Sequence, residues 1–348
     1  MLKQVQHDGL IFYFCVLMKI FRYFISVLIF CLLTFSVNEP LYSWGFFAHK
    51  RINRLAVFTL PPEMIGFYKR NIEFVTEHAV DPDKRRYANP EEAPRHYIDI
   101  DHYSLEKNPF VVMPRKWDDA VAKFTEDTLK AYGTVPWHIN SVVHWLTKAF
   151  REGNLDDILR LSADLGHYIG DSHVPLHNTE NYNGQLTNQR GIHGFWESTI
   201  PELKAEDYDL FTGRAYYIKS PLENAWNTCE VSFAAKDSVL DFEKELSKKF
   251  PEDRKFAFQQ RGTTTVKTYS DEFTIAYNSM LNGMVERRMR ASIITVGSLW
   301  YTAWVDAGQP DLSKFYDKEV SQQLKEQLAE EELEEKSNDK AHGRDCSH

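Results

Sequence analysis

A chain of 348 residues with 43% hydrophobic content is long enough for one large domain or two small ones with packed cores. Its formal net charge of −9 comes with no long basic stripe, which excludes tight, sequence-independent binding to duplex nucleic acid as an expectation. Four cysteines are too few for a disulfide framework.

In chain order, residues 18–43 come first: MKIFRYFISVLIFCLLTFSVNEPLYS has a basic start, an apolar run from Phe24 to Val37, and Ser43 just before Trp44. That pattern predicts a secretory signal peptide, because the apolar run of about 14 residues falls short of the roughly 20 that a spanning helix needs. Residues 1–43 are therefore expected to be an N-terminal extension and signal, cleaved before Trp44, with the mature protein exported to the periplasm or beyond. Cleavage would remove Cys15 and Cys31 and leave Cys229 and Cys346.

Apolar residues at three- and four-residue spacing predict helices over 47–59, 61–78, 115–132, 138–152, 154–172, 221–249 and 268–305. Strand signals are scarce, and Pro and Gly cluster in the connections. No repeat or internal linker appears. The expectation is an all-α protein with a single compact multi-helix domain over 44–315, monomeric, with no protein partner implied. The charged tail, 316–348, contains EQLAEEELEEK and reads as a solvated helix or frayed extension.

The stretch HYIGDSHVPLHNTENYNGQLTNQRGIHGFWE, residues 167–197, is rich in metal-capable side chains. His167 and Asp171 share a helix face, as do His193 and Glu197 if their segment is helical, and His177 lies between the pairs. One such pair is common on solvated helices. Two pairs bracketing PLH suit a zinc site, which takes imidazole and carboxylate ligands in small shells.

The pattern H-Y-I-G-D-x4-P-L-H followed by H-x3-E resembles the signature of the zinc-dependent phospholipase C superfamily, which includes trinuclear-zinc, single-strand-specific nucleases. Upstream, RHYIDID supplies His96, HAVDPDKRR supplies Asp81, and Trp44 precedes His49 by five residues. The resemblance covers roughly 44–200 by motif and implies the fold of that family and three zinc ions. The first would take Asp81, His96, His167 and Asp171, with Asp83 as an alternative to Asp81. The second would take His177, His193 and Glu197, with water. The third would take the Trp44 amine and carbonyl, His49 and the far oxygen of Asp171. Asp81, Asp171 and Glu197 are thus the carboxylates expected to carry catalysis.

What the resemblance implies is a phosphoester hydrolase in which a metal-bridging hydroxide attacks phosphorus, with no covalent enzyme intermediate. Tyr97 and Asp99 match positions that hold a base in the nucleases, or serve as support behind the metal ligands. Lys84, Arg85 and Arg86 suit a substrate phosphate, Arg85 foremost, although a basic trio in a loop is usually solvated. His78, His102, His138, His144 and His173 have no family position and read as packed or surface imidazoles. The loop NTENYNGQLTNQRGI lacks the Gly-rich Asp and Asn motif of the nuclease branch, and Glu197 stands where nucleases carry Asp. Both departures favour a phospholipid head group over single-stranded nucleic acid or nucleotide as substrate. A zinc-binding protein without catalysis is the rival from another class; a ligand set poor in Cys and rich in carboxylate points away from it.

Overall fold

The periodic apolar segments become helices, and the protein is all-α apart from a two-stranded hairpin. The computed structural model describes residues 45–104, 106–261, 264–338 and 341–342. The expected signal segment and Trp44 lie outside the described residues. The helices that build the candidate site are α1 (Gly45–Ala56), α2 (Asp81–Arg85), α3 (Val135–Glu152), α4 (Leu155–His173), α5 (Pro221–Ala234), α6 (Met284–Asp306) and α7 (Gln322–Ser337). Among the described residues no helix is long and apolar enough to cross a membrane.

Helix α4 is the central element. Asn154 starts it by accepting a hydrogen bond from the Asp157 amide at 3.3 Å. From Ser162 to His173 every residue is buried, with α1, α3, α5 and α6 packed around it. A helix buried all round is ordinarily apolar, so the polar residues here need partners. Ser162 has them: its hydroxyl donates to Ile158 O at 2.6 Å and meets the Tyr68 hydroxyl at 2.9 Å, while its carbonyl accepts from Trp300 Nε1 at 3.0 Å.

Two glycines let α1 lie unusually close to α4. A Cβ on Gly166 would fall 1.8 Å from Asn53 Oδ1, and one on Gly170 would fall 2.7 Å from His49 Nδ1. Asn53 uses that proximity to bind two backbone carbonyls, donating to Val75 O and Ala163 O at 3.0 Å each. The same approach brings His49 to α4.

Several predicted helices are broken where the backbone turns. Segment 61–78 divides at Asn71 into Pro62–Arg70 and Ile72–Glu77. Segment 115–132 divides at Thr125, whose φ of 68° ends one helix while its hydroxyl caps the next. Segment 221–249 divides at Ala235 into α5 and Lys236–Lys249. The last segment starts within the hairpin Phe256–Arg261 and Thr264–Tyr269, continues as Asp271–Met280, and breaks at Asn282 and Gly283, with φ of 49° and 73°, before α6.

Apart from the hairpin tip, the described residues from 45 to 338 form one compact unit. Helix α7 is largely solvated, as its composition predicts, but one face is docked: Leu324 is buried and the helix packs on α2.

Candidate metal centre

Helical spacing puts His167 and Asp171 on one face of α4, and the chain beyond α4 turns through Pro175–Asn178 to return His177 to the same place. His193 and Glu197 follow on a helical stretch that widens into one π-helical turn, Phe195–Thr199. Such turns recur at functional sites because they re-aim a side chain. His49 arrives on α1, and His96 at the end of a short 3-10 helix, Ala93–His96.

Three groups of donor atoms result: His49, His167 and Asp171; Asp83, His96 and His167; His177, His193 and Glu197. Asp171 sits among all of them. Its Oδ1 lies 3.2 Å from His49 Nε2 and 3.7 Å from His177 Nε2, and its Oδ2 lies 3.0 Å from His96 Nδ1 and 3.3 Å from His167 Nε2. In the third group, Glu197 Oε2 lies 3.3 Å from His177 Nε2 and 3.1 Å from His193 Nε2.

The donor set fits metal ions on two counts. Ligand atoms sharing a tetrahedral shell with bonds of about 2.0–2.1 Å stand about 3.3 Å from one another, close to the separations just given. The imidazoles are also oriented from behind. His167 Nδ1 donates to Ala79 O at 2.9 Å, His177 Nδ1 to His96 O at 2.8 Å, and His193 Nδ1 to Tyr182 O at 3.0 Å. A carbonyl only accepts, so each Nδ1 carries the proton and each Nε2 turns a lone pair inward. His177 Nε2 and His193 Nε2 thus face each other across 3.2 Å. Two lone pairs at that distance require a cation or a proton between them.

The electrostatics are those of a metal-free cluster that takes up protons. Burial would lower His167, but the Asp171 and Asp83 carboxylates outweigh it and push it up to about 9. Against the same burial, Asp171 and Glu197 raise His177, and Glu197 raises His193. Burial would in turn raise Asp171 and Glu197, yet the surrounding imidazoles hold both well below the usual carboxylate range.

The structure brings together His49, His96, His167, Asp171, His177, His193 and Glu197 from the residues expected by resemblance. Of Asp81 and its alternative Asp83, it is Asp83 that joins them. Asp81 is held by its neighbours, with Oδ2 2.6 Å from His78 Nδ1 and Oδ1 accepting from Lys84 Nζ at 3.1 Å, and it joins none of the three groups. Asp83, on the other side of the same helical turn, lies 3.7 Å from His96 Nδ1 and 3.8 Å from His167 Nε2. The local partners were readable in the sequence, since His78 and Lys84 stand three residues either side of Asp81.

Arg85 is only partly exposed, and its guanidinium binds Asp164 through both terminal nitrogens at 3.3 and 2.8 Å. Tyr97 and Asp99 follow His96 on the segment that hydrogen-bonds alongside His177, and both are buried, 7% and 6% exposed. Sequence reasoning missed Glu92, whose Oε1 lies 3.7 Å from His96 Nε2. Its signal was the spacing already used elsewhere, a carboxylate four residues from a metal-capable His. A small, mostly apolar recess, partly open to solvent, borders His49 and Glu197 and is walled by Ile52, Trp196, Val285 and Met289.

Compared with known proteins, the chain matches no family model and no curated sequence.

Proposed function

We propose that the protein is a zinc-dependent phosphoester hydrolase of the phospholipase C type. The observation that carries the reading is the pair of inward-facing His177 and His193 Nε2 atoms, 3.2 Å apart and closed by Glu197, linked through Asp171 to two further groups of the same chemistry. Borderline metals such as zinc suit that mixture of imidazole and carboxylate.

Zinc, when bound, supplies a water acidified towards neutrality and positive charge for phosphoryl oxygens. The chain's residues do the rest. Asp171 spans the groups, one oxygen towards His49 and His177 and the other towards His96 and His167. Asp83 with His96 and His167 holds one side, and Glu197 with His177 and His193 the other. The Trp44 amine and carbonyl are proposed to complete the group of His49, once export and cleavage have made Trp44 the first residue. No Ser or Cys nucleophile enters the scheme.

Glu197 in place of an aspartate, and the loop 178–192 without a Gly-rich Asp and Asn motif, favour a phospholipid over a polynucleotide, which carries charge at every residue. The test is a parallel assay of the zinc-loaded protein, with Trp44 as its terminus, on phosphatidylcholine and on single-stranded DNA. Head-group release is expected; cleavage of DNA alone would move the proposal to the nuclease branch, and inactivity on both would leave a zinc-binding protein.

A further inference from the structure

The acidic tail touches the metal centre's support. Arg85 is the junction. Besides Asp164, its guanidinium lies 3.6 Å from Glu92 and 3.6 Å from Glu331, and it donates to the Tyr168 hydroxyl at 3.3 Å. Glu331 belongs to α7 and is held there by Arg160 at 2.8 Å. Glu92 faces His96 Nε2, and Tyr168 donates to Glu92. A line of charge, partly exposed at Glu331 and Arg85 and buried at Glu92, therefore runs from the C-terminal helix to His96.

A second connection runs through the backbone. Arg85 and Asp83 share α2, a helix of 5 residues that is too short to hold its place by its own hydrogen bonds. Helix α7 lies against it. The tail is fixed to the body at several points: Ser321 N donates to Asp156 Oδ1 at 2.9 Å, Asn338 Nδ2 to Tyr87 O at 3.2 Å, and His342 N to Arg86 O at 2.8 Å. The last two fall directly after α2. Both ligands that the group of Asp83, His96 and His167 does not share with Asp171's helix depend on this arrangement.

We propose that the C-terminal helix is a strap for the metal centre, and that Glu331 is a positioning residue: by pairing with Arg85 it fixes Asp83 through α2 and His96 through Glu92. The proposal rests on the reading that these groups bind metal. Removing a residue behind metal ligands typically costs 10–100-fold in metal affinity. A tail that merely stabilised the fold would lower the melting temperature without changing the affinity of one site selectively. The group of His177, His193 and Glu197 has no contact with the strap among the interactions above and serves as an internal reference.

The experiment uses the full chain as wild type, Glu331→Gln, Glu331→Asp and Glu334→Gln, the last an exposed carboxylate on the same helix. Zinc is titrated into metal-free protein against a chromophoric chelator, and the metal-free melting temperature is recorded in parallel. Glu331→Gln is expected to weaken one zinc equivalent by about tenfold or more and spare at least one other. Glu331→Asp should recover part of the loss, and Glu334→Gln should match wild type. Should Glu331→Gln not fold, Asn338→Ala loosens the strap without unpairing a buried charge and should weaken the same equivalent by a smaller factor. Unchanged zinc affinities in the folded variant would overturn the proposal, as would equal weakening of every equivalent. Wild type that binds no zinc would overturn the metal reading itself, and the strap's role with it.

Discussion

His49 stands against the bare backbone of Gly170: a methyl group there would lie 2.7 Å from Nδ1, inside any tolerable contact. His49 has no easy retreat, because its ring is stacked on His167 with centroids 4.0 Å apart. Gly170→Ala is therefore expected to displace His49 from Asp171 and weaken zinc binding at that group by about tenfold or more. Zinc titration of the folded variant checks it; unchanged affinity at every site would show that His49 is not a ligand.

One helical turn earlier, Gly166 and Asn53 give a prediction about stability alone. Asn53→Ala removes two buried hydrogen bonds and should cost about 1–3 kcal/mol. Gly166→Ala should be at least as harmful in wild type, since its Cβ would fall 1.8 Å from Asn53 Oδ1. In the Asn53→Ala background the obstacle is gone, and Gly166→Ala should become close to neutral or stabilising by the greater helix preference of Ala. Denaturant unfolding of the four proteins measures the coupling, and simple additivity would refute it.

Asp171→Asn should abolish hydrolysis and lower zinc content by more than one equivalent, because both carboxylate oxygens face imidazoles from different groups. His173→Ala, two residues on, should keep its zinc. His173 Nδ1 donates to Ile169 O at 2.8 Å and burial pushes its pKa down to about 4, so it stands as a neutral, packed imidazole. Metal analysis and rates on both folded variants decide the point, and equal behaviour would count against the ligand set.

Metal-free and zinc-loaded protein should diverge as pH rises. His167, raised to about 9, contributes stability that is fully present below its unfolded value near 6.5 and is lost as pH climbs through 9. Zinc needs the deprotonated ring, so its affinity grows over that same interval. The gap between the two melting temperatures should widen from about pH 6.5 to 9. On the acid side, burial holds His138 down to about 3 and His173 to about 4, so their contribution is present above about 6.5 and lost as pH falls towards those values. A gap that narrows with rising pH would contradict the cluster's proton chemistry.

Much of this centre was legible as spacing. His167 with Asp171 and His193 with Glu197 needed only a helix to converge, and periodicity supplied the helix. Asp81 and Asp83 could not be separated that way, because the choice depends on how a 5-residue turn is rotated, and that rotation is set by His78, Lys84 and the helix packed outside it. Arg85 looked like an exposed cation for the same reason: its burial comes from Asp164 and from Glu331, far along the chain. The helix breaks at Thr125 and Asn282 were hidden because both residues carry ordinary side chains in a left-handed backbone.

The central place of Asp171 has a thermodynamic consequence. A carboxylate whose two oxygens face four imidazoles cannot have its charge neutralised from one side without altering its attraction on the other. A cation filling one site would draw electron density from the shared carboxylate, so the affinity read for each equivalent would carry a contribution from the occupancy of its neighbours. Loading would be a linked equilibrium, with the largest coupling between the groups that share an oxygen of Asp171.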